Sequence, residues 1–387
     1  MEQIRTYQDI DQRISEGNVV VLTAEEATKM AKEQGVKHLA KEVDVVTTGT
    51  FGPMCSSGAF LNFGHSNPPI NFTKIWLNDV SAYAGIAAVD AYIGATEPSE
   101  REPATYGGAH VIEDLIAGKD VKLRAIGKGT DCYPKKDIET LVNKDTINEA
   151  FLFNPRNAYQ NYAAATNSSD RTIYTYMGML LPKMGNITYS TSGELSPLLN
   201  DPTFRTIGIG SRIFLGGAQG YVAWNGTQFH TTREKLPNEI PKLPGGTLAV
   251  VGDLKQMSPD YVKGAIFERY GISMFMGIGI PIPILDMDLA KAVSVSDKDL
   301  IATLLDYSKA DHPALGELNY KQLKSGMVDH QGKTIRTGPL SSMSKARQIA
   351  DKLKTWVQKA DFRLTEPVGQ FPKNTSLNGL EIRGDEQ

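Results

Sequence analysis

Short apolar runs alternate with amphipathic stretches in the first third of the chain. Residues 19–22 form an apolar run typical of a short buried strand. Thr23 and Glu26 have the spacing of a capping box that opens a helix through about Gly35. The alternation continues with predicted strands at 43–48, 75–80 and 121–126 and a helix at 107–117. Strands followed by helices favour an α/β chain.

The rest of the chain has a different pattern. A mostly helical stretch is predicted first, at 136–165, and then strands at 171–182, 205–228 and 246–254. Beyond these strands the pattern predicts a helix at 258–270, a core strand in the apolar run 272–285, helices beginning near Asp286 and Ser296, and a last helix at 341–360. The expected fold class is α/β, a mixed-sheet core with helices and a β-rich middle lobe.

The length of 387 residues suffices for two or three domains or one large one. We predict a catalytic region at 1–365 and a polar C-terminal tail at 366–387. Within the catalytic region, residues 1–170 form an α/β sub-lobe and residues 171–290 a β-rich one. In the alternative arrangement, the β-rich part contributes strands to the same sheet. The apolar run at 272–285 fits a core strand or the interface of a homo-oligomer.

Composition excludes several classes of protein. With 41 Lys plus Arg against 44 Asp plus Glu, the chain has no excess of positive charge to attract a phosphate backbone, so nucleic acid is not an expected partner. The polar N-terminus has no apolar signal region, and the apolar run at 272–285 is too short to span a bilayer. We therefore predict a cytoplasmic protein that does not bind membranes.

Two cysteines restrict the metal and redox chemistry of the chain. They cannot form a four-cysteine zinc site or iron–sulfur ligand set, so no metal site is expected and electrons must come from another molecule. Residues 208–213 begin like a dinucleotide-binding motif, but Ile213 stands where the third glycine is needed. No bound cofactor is therefore predicted.

Each cysteine lies in a Gly-rich loop after a predicted strand. Ligands collect outside the carboxyl ends of strands in open α/β sheets, so we expect the two loops to meet at one site. Cys132 stands near Lys128, Lys135 and Lys136, which favours a thiolate; the alternative is a buried structural cysteine. Cys55 has no nearby cation, which favours a structural role, although its loop of small residues suits an anion-binding nest.

Four further residues stand beside Gly-rich or turn-forming sequence. His65 and His110 are candidates for a general base at neutral pH. Arg156 and Arg212 are candidates for gripping a carboxylate with two hydrogen bonds. The alternatives are a structural histidine in the first case and a surface salt bridge in the second.

Six segments together resemble one known family: GTFGPMCSSGAFLNFGH, ATYGGAHVIEDLIAGK, AIGKGTDCYP, NPRNAYQNYAAATN, IGIGSRIFLGGAQGYVAWNGTQ and MFMGIGIPIPIL. They are similar to the homocysteine-biosynthesis family of anaerobic archaea and bacteria, over about residues 10–365. The resemblance implies an L-aspartate semialdehyde sulfurtransferase, which inserts sulfide-level sulfur reductively into L-aspartate 4-semialdehyde to form L-homocysteine. It also implies a sulfide or persulfide donor and a separate electron-supplying protein with a ferredoxin-like iron–sulfur domain.

The resemblance places the essential cysteine at Cys132, whose thiolate would take up sulfur as a persulfide that attacks the aldehyde carbon. Cys55 would hand on sulfur, resolve an intermediate or only line the pocket. His110 or Asp131 would handle the proton. Backbone amides of 127–130 would stabilise the oxyanion, and an arginine would hold the substrate carboxylate. The substrate-binding candidates are Gly127, Lys128, Gly129, Thr130, Ser56, Ser57, His65, Arg156 and Arg212.

Two other functions compete with this interpretation. A cysteine-dependent enzyme that transforms an aldehyde or acyl group with a soluble cofactor would need a complete nucleotide-binding motif, which is missing. A non-catalytic persulfide carrier or scaffold would need an exposed Cys132. An enzyme needs Cys132 at the floor of a pocket with convergent polar groups.

Overall fold

The computed structural model describes residues 5–381, in which helices are the smaller part of the regular structure. The helices of this range are α1 (Tyr7–Glu16), α2 (Ala24–Gln34), α3 (Val36–Glu42), α4 (Gly108–Ile116), α5 (Pro197–Asn200), α6 (Met287–Ala292), α7 (Tyr320–Lys324) and α8 (Met343–Gln358). The predicted capping box is confirmed at α2. The Thr23 hydroxyl accepts from the Glu26 amide, and the Glu26 carboxylate accepts from the Thr23 amide.

Strands make up most of the fold. In chain order they are β1 (Val21–Thr23), β2 (Val45–Thr47), β3 (Thr50–Pro53), β4 (Gly58–Asn62), β5 (Phe72–Leu77), β6 (Val80–Ala82), β7 (Asp90–Gly94), β8 (Val121–Gly127), β9 (Asp137–Val142), β10 (Glu149–Asn157), β11 (Ala164–Thr166), β12 (Ile173–Thr175), β13 (Gly178–Leu180), β14 (Asn186–Tyr189), β15 (Arg212–Leu215), β16 (Ala218–Asn225), β17 (Leu248–Asp253), β18 (Val262–Phe267), β19 (Gly271–Gly279), β20 (Pro281–Pro283), β21 (Ile301–Asp306), β22 (Ala314–Asn319), β23 (Met327–His330) and β24 (Lys333–Pro339). Their sheets and the surrounding helices confirm the α/β class.

A nine-stranded sheet forms the centre of the molecule. Its order is β18-β19-β15-β16-β17-β10-β4-β7, and β3 pairs with β19 beside this path. The pairs in this sheet are antiparallel. Strands from residues 1–170 and from residues 171–290 join in it. The β-rich middle of the chain therefore adds strands to the same sheet, as in the second arrangement considered above.

A six-stranded sheet, β22-β21-β11-β14-β24-β23, forms a second layer with its own buried cluster. It mixes antiparallel pairs with the parallel pairs β11–β21 and β14–β24. Smaller sheets have the orders β1-β2-β20 and β6-β5-β8-β9, and β12 and β13 form a separate hairpin. The strands that lead to the two cysteines, β3 and β8, thus belong to different sheets.

Three predicted helices are wrong. Residues 136–165 contain β9, β10 and β11, residues 258–270 contain β18, and a turn leading to β21 follows Ser296. In β10, Glu149 and Phe151 are exposed while Ala150 and Leu152 are buried, which is the two-residue period of a strand. Strand β18 pairs with β19 along its whole length. Pairing with distant strands outweighs the local helical pattern in both regions.

Other predictions are confirmed. The apolar run at 272–285 forms β19 and β20, whose side chains are mostly buried in the core. Helix α6 begins after Asp286, whose carboxylate accepts from the Asp288 and Leu289 amides at 3.0 Å. Helix α8 forms within the predicted 341–360. In the described part of the chain, no helix has the length and apolar character needed to cross a bilayer.

Helix α8 supports the strand that leads to Cys55. Its buried side chains Ile349, Leu353 and Val357 belong to a cluster that also contains Phe51 of β3 and Phe214 of β15. The helix contacts both β3 and β19. Packing against α8 therefore holds the β3–β19 pair in place.

We expect Leu353→Ala to lower the free energy of unfolding by about 3 kcal/mol, because Leu353 is fully buried and its truncation leaves a cavity. The matched control is Gln348→Ala on the exposed side of the same helix, with an expected change below about 0.5 kcal/mol. Urea unfolding of the three proteins measures both values. Equal effects at the two positions would contradict the packing described for α8.

Candidate active site

Cys55 lies in a tight turn between β3 and β4. The Ser57 amide and hydroxyl both donate to the Met54 carbonyl, at 3.1 and 2.7 Å. The buried Asn154 side-chain amide donates to the Ser57 hydroxyl at 2.8 Å. Ser57, a predicted substrate-binding residue, therefore has its hydroxyl committed to the turn. Ser56 lines the adjoining pocket.

The Cys55 thiol borders that pocket. Its Sγ lies 2.8 Å from the Ser273 hydroxyl oxygen. Burial raises the pKa of the Cys55 thiol, and the contact with Ser273 opposes that shift only partly. Cys55 is therefore protonated at neutral pH, which makes it a poor nucleophile and leaves it a proton to donate.

We expect iodoacetamide at neutral pH to modify Cys132 at least about tenfold faster than Cys55, because Cys132 is exposed and Cys55 is a partly buried thiol. Since the Cys55 pKa is raised above its ordinary value, its reaction should still accelerate at alkaline pH where an ordinary thiol has reached its plateau. Mass spectrometry of timed samples gives both rates. The unfolded protein is the control, and faster modification of Cys55 in the folded protein would contradict this assignment.

A pocket of about 570 Å³ opens beside Cys55. It lies between the β3–β4 turn, the end of β10, the β12–β13 hairpin and the segment after β14. Its polar lining consists of hydroxyl groups, aromatic rings and one guanidinium: Thr50, Ser56, Thr96, Ser190, Thr191, Ser196, Ser341, Tyr159, Tyr162, Tyr176, Tyr270 and Arg156. A cavity of this volume and mixed lining suits a small polar substrate.

Arg156 is the charged side chain of this lining, within the part of the chain that the structure describes. Its Nε donates to the Thr227 hydroxyl at 3.0 Å, and its positive charge opposes the rise that burial causes in the pKa of the Tyr159 hydroxyl. The bond to Thr227 holds the guanidinium in position at the pocket. Arg156 is thus placed to bind an anionic group there.

Four tyrosines form a continuous wall of the pocket, which we call the tyrosine wall: Tyr159, Tyr162, Tyr176 and Tyr270. Successive ring centroids are 5.0, 6.4 and 6.1 Å apart, with planes 76°, 85° and 66° from parallel. Burial raises the pKa values of Tyr159, Tyr162 and Tyr270, so these phenols are neutral. Sequence reasoning missed this wall. Tyr159 and Tyr162 follow Arg156 closely, but only the fold brings Tyr176 and Tyr270 to them.

Cys132 lies in the exposed loop of the β8–β9 hairpin. The Thr130 amide donates to the Tyr133 carbonyl at 2.9 Å, and the Tyr133 amide donates to the Thr130 carbonyl at 3.1 Å. Gly129 has φ +74°, and a side chain there would collide with Lys136. Lys128, Gly129, Thr130 and Tyr133 border a depression of about 260 Å³.

Fewer backbone amides of this loop are available to bind an oxyanion than the sequence predicts. The Gly127 amide donates to the Lys136 carbonyl at 2.7 Å, and the Thr130 amide is bonded within the turn. Two of the four amides expected to hold an oxyanion therefore have partners in the protein. The exposure of Cys132 is the feature associated above with a persulfide carrier.

Strand β4 separates the two cysteine loops. The Cys55 turn precedes β4, and His65 follows it with its ring stacked on Tyr133, next to Cys132, at 5.8 Å between centroids. The five residues of β4 span about 17 Å. The expectation that the loops meet is therefore wrong for a single chain. It assumed parallel strands in one sheet, whereas β3 and β8 lie in different sheets.

The remaining candidates line neither cavity. The His110 Nδ1 accepts from the Gly107 amide at 3.2 Å at the start of α4, and burial lowers the pKa of its imidazole. Arg212 lies on β15, with its guanidinium 5.9 Å from the Tyr221 ring centroid. Asp131 is exposed beside Cys132. Across residues 5–381, no three His, Cys, Asp or Glu side chains are grouped so that they could hold a metal ion.

Comparison with known proteins identifies close relatives of the chain. It is 50% identical over 379 residues to the L-aspartate semialdehyde sulfurtransferase of Methanosarcina acetivorans, covering 97% of this chain and 74% of that protein. It is 49% identical over 382 residues to the L-aspartate semialdehyde sulfurtransferase of Methanocaldococcus jannaschii, covering 94% of this chain and 73% of that protein. No solved structure matches the chain.

The family follows from a match that covers most of the chain. Residues 19–364 match the family described as "Homocysteine biosynthesis enzyme, sulfur-incorporation". This match and the relatives above confirm the resemblance found in the six sequence segments. The chain belongs to the family of homocysteine biosynthesis enzymes that incorporate sulfur.

Proposed function

We propose that this protein is an L-aspartate semialdehyde sulfurtransferase, which converts L-aspartate 4-semialdehyde and sulfide to L-homocysteine. A carbon–sulfur bond forms, the aldehyde oxygen leaves as water, and two electrons and two protons complete the thiol. The observation that carries the proposal is the identity of about half of the residues to two proteins of that name, over nearly the whole chain.

We place the semialdehyde in the pocket beside Cys55. Arg156 would hold its α-carboxylate, and the aldehyde would point toward the Cys55 turn. Because Cys55 is a neutral thiol, its role there is to donate a proton to the aldehyde oxygen as the carbon is attacked. The partly enclosed pocket supports an enzyme, since a carrier needs no substrate cavity.

Cys132 is the residue that takes up sulfur in this proposal. It is exposed and therefore accessible to a sulfide or persulfide donor. Lys128 and Lys136 lie in the same loop, and their positive charge attracts anionic sulfur species. The thiolate of Cys132 carries the sulfur as a persulfide, whose terminal sulfur is the nucleophile.

The persulfide route needs electrons from outside the chain. After the terminal sulfur bonds to the aldehyde carbon, two electrons break the S–S bond and return the Cys132 thiolate. Loss of water gives a thioaldehyde, which two more electrons and two protons convert to the thiol. The terminal sulfur reaches Cys132 by exchange with a persulfide donor, which leaves as a thiolate. This route therefore takes four electrons in all: two reduce the sulfur to the level of sulfide, and two complete the thiol. We assign their supply to a separate iron–sulfur protein with a ferredoxin-like domain, since two cysteines cannot ligate a cluster alone.

Because the two cysteines lie apart in one chain, the proposed reaction involves a second copy of the chain. Cys132 lies beside a different cavity from the pocket that Cys55 lines, in an exposed hairpin loop beyond the far end of β4. Ile126 and Leu141 in the same hairpin are 43% and 60% exposed, which leaves an apolar surface that a second copy would cover. We therefore propose that Cys132 of one copy delivers sulfur to the pocket of another.

A persulfide carrier is the second candidate function, because Cys132 is exposed. One experiment separates the two. The purified protein is incubated without oxygen with L-aspartate 4-semialdehyde, a small-molecule persulfide and a chemically reduced iron–sulfur protein, and L-homocysteine is measured by mass spectrometry. The proposal predicts many turnovers per chain. A carrier would form a persulfide but no homocysteine, and that result would contradict the proposal.

A further inference from the structure

The pocket offers no carboxylate for the positive end of an amino-acid substrate. The α-ammonium group of L-aspartate 4-semialdehyde needs a partner when it leaves water. Among the residues that line the pocket, all of them within the described range, none is Asp or Glu. The groups left to bind the ammonium group are hydroxyl oxygens, backbone carbonyl oxygens and aromatic rings.

Several pocket hydroxyls already have partners in the protein. The Thr50 hydroxyl accepts from the Ser192 hydroxyl at 2.9 Å. The Ser341 hydroxyl donates to the Ser190 carbonyl, and the Thr191 hydroxyl bonds to that of Tyr320. These contacts fix the directions in which the small hydroxyl groups point. The tyrosine wall is the larger remaining surface.

The tyrosine wall brings four aromatic rings to one pocket. Successive rings lie 5.0 to 6.4 Å apart at 66° to 85°, so neighbouring rings are turned steeply relative to one another. The face of an aromatic ring attracts a cation, most strongly where water is excluded. The wall begins at Tyr159, which lines the pocket together with Arg156 and whose hydroxyl pKa is lowered by the charge of that arginine against the larger effect of burial. The two groups on the substrate α-carbon would thus meet adjacent parts of the pocket.

We infer that the tyrosine wall is a cation-binding cage for the α-ammonium group, and that it selects amino acids over the corresponding carboxylic acids. Arg156 binds the carboxylate, and the rings beside it bind the ammonium group. This inference rests on the proposed function for the identity of the substrate. The cage itself is testable by binding, without turnover.

The test compares two ligands that differ only in the amino group, L-homoserine and 4-hydroxybutyrate, by isothermal titration calorimetry. Both have a hydroxyl group in place of the aldehyde and do not react. The wild-type protein should bind L-homoserine about tenfold more tightly than 4-hydroxybutyrate. Tyr176→Phe keeps the ring and should keep this preference. Tyr176→Leu removes the ring and should abolish the preference with little change in the affinity for 4-hydroxybutyrate.

Two further variants show whether a lost preference could instead come from misfolding. Tyr270 is 45% exposed at the rim of the pocket, so Tyr270→Phe and Tyr270→Leu repeat the comparison where the fold is least affected. Arg156→Leu should lower the binding affinity for both ligands by the same factor. If the wild-type protein bound L-homoserine and 4-hydroxybutyrate equally tightly, the tyrosine wall would not be a cation-binding cage. The same would follow if the Phe and Leu variants lost the preference for L-homoserine equally. A preserved preference in a protein that forms no homocysteine would instead overturn the proposed function alone.

Discussion

Cys132→Ser is expected to reduce homocysteine formation at least about a thousandfold, because a serine hydroxyl cannot form a persulfide at this position. The assay is homocysteine formation from L-aspartate 4-semialdehyde, a small-molecule persulfide and the reduced iron–sulfur protein. Cys132 is exposed, so the melting temperature should be unchanged. A loss of activity at an unchanged melting temperature would show that Cys132 takes part in the reaction and is not needed for folding.

The matched control makes the same substitution at the other cysteine. Cys55→Ser replaces one proton-donating group with another beside Ser273, so we expect it to retain measurable activity, about a tenth of wild type or more. In the proposed mechanism, Cys132 carries the nucleophilic sulfur and Cys55 does not. Full activity of Cys132→Ser, or a far larger loss at Cys55, would reverse that assignment.

Arg156→Leu is expected to lower kcat/KM at least about a hundredfold, mainly by raising KM, because the substrate carboxylate loses its charged partner in a partly enclosed pocket. Arg156 also bonds to Thr227, so a melting curve must accompany the kinetics. Arg212→Leu is the control, since Arg212 lines neither cavity, and it should leave KM unchanged. An unchanged KM in Arg156→Leu would remove Arg156 from the substrate site.

The same variant tests delivery of sulfur between copies. Cys132→Ser retains an intact pocket, and Arg156→Leu retains the sulfur-accepting cysteine. If the two chains are produced together, a mixed oligomer pairs the intact pocket of one with the Cys132 of the other, and activity should return to a substantial fraction of wild type. Continued inactivity of mixed oligomers would show that sulfur is delivered within one chain.

The sequence predicts the fold well where the local pattern and the tertiary environment agree. Helix α8 and the core strand at β19 show this agreement. It predicts poorly where pairing with distant strands decides the structure, as in β10 and β18. In β10 alternate side chains are buried against the core, and a window that searches for helical spacing misses the shorter period.

The candidate site was only partly predictable for the same reason. Cys55, Ser56 and Arg156 were identified from local sequence, and the structure places all three at one pocket. Cys132 was assigned to the same site because its loop also follows a strand, but its strand lies in another sheet. Tyr176 and Tyr270 carry no local signal, because only the fold brings their rings together.

Mass mapping of the cysteines shows directly whether Cys132 carries the sulfur. The protein is incubated without oxygen with a small-molecule persulfide, which is then removed. One sample is digested and analysed at once, and a second is first treated with L-aspartate 4-semialdehyde and reductant. We expect an added mass of about 32 Da, one sulfur atom, on Cys132, and its disappearance when the semialdehyde and reductant are added. An unmodified Cys132 in an active protein, or an adduct on Cys55 alone, would show that Cys132 does not carry the sulfur.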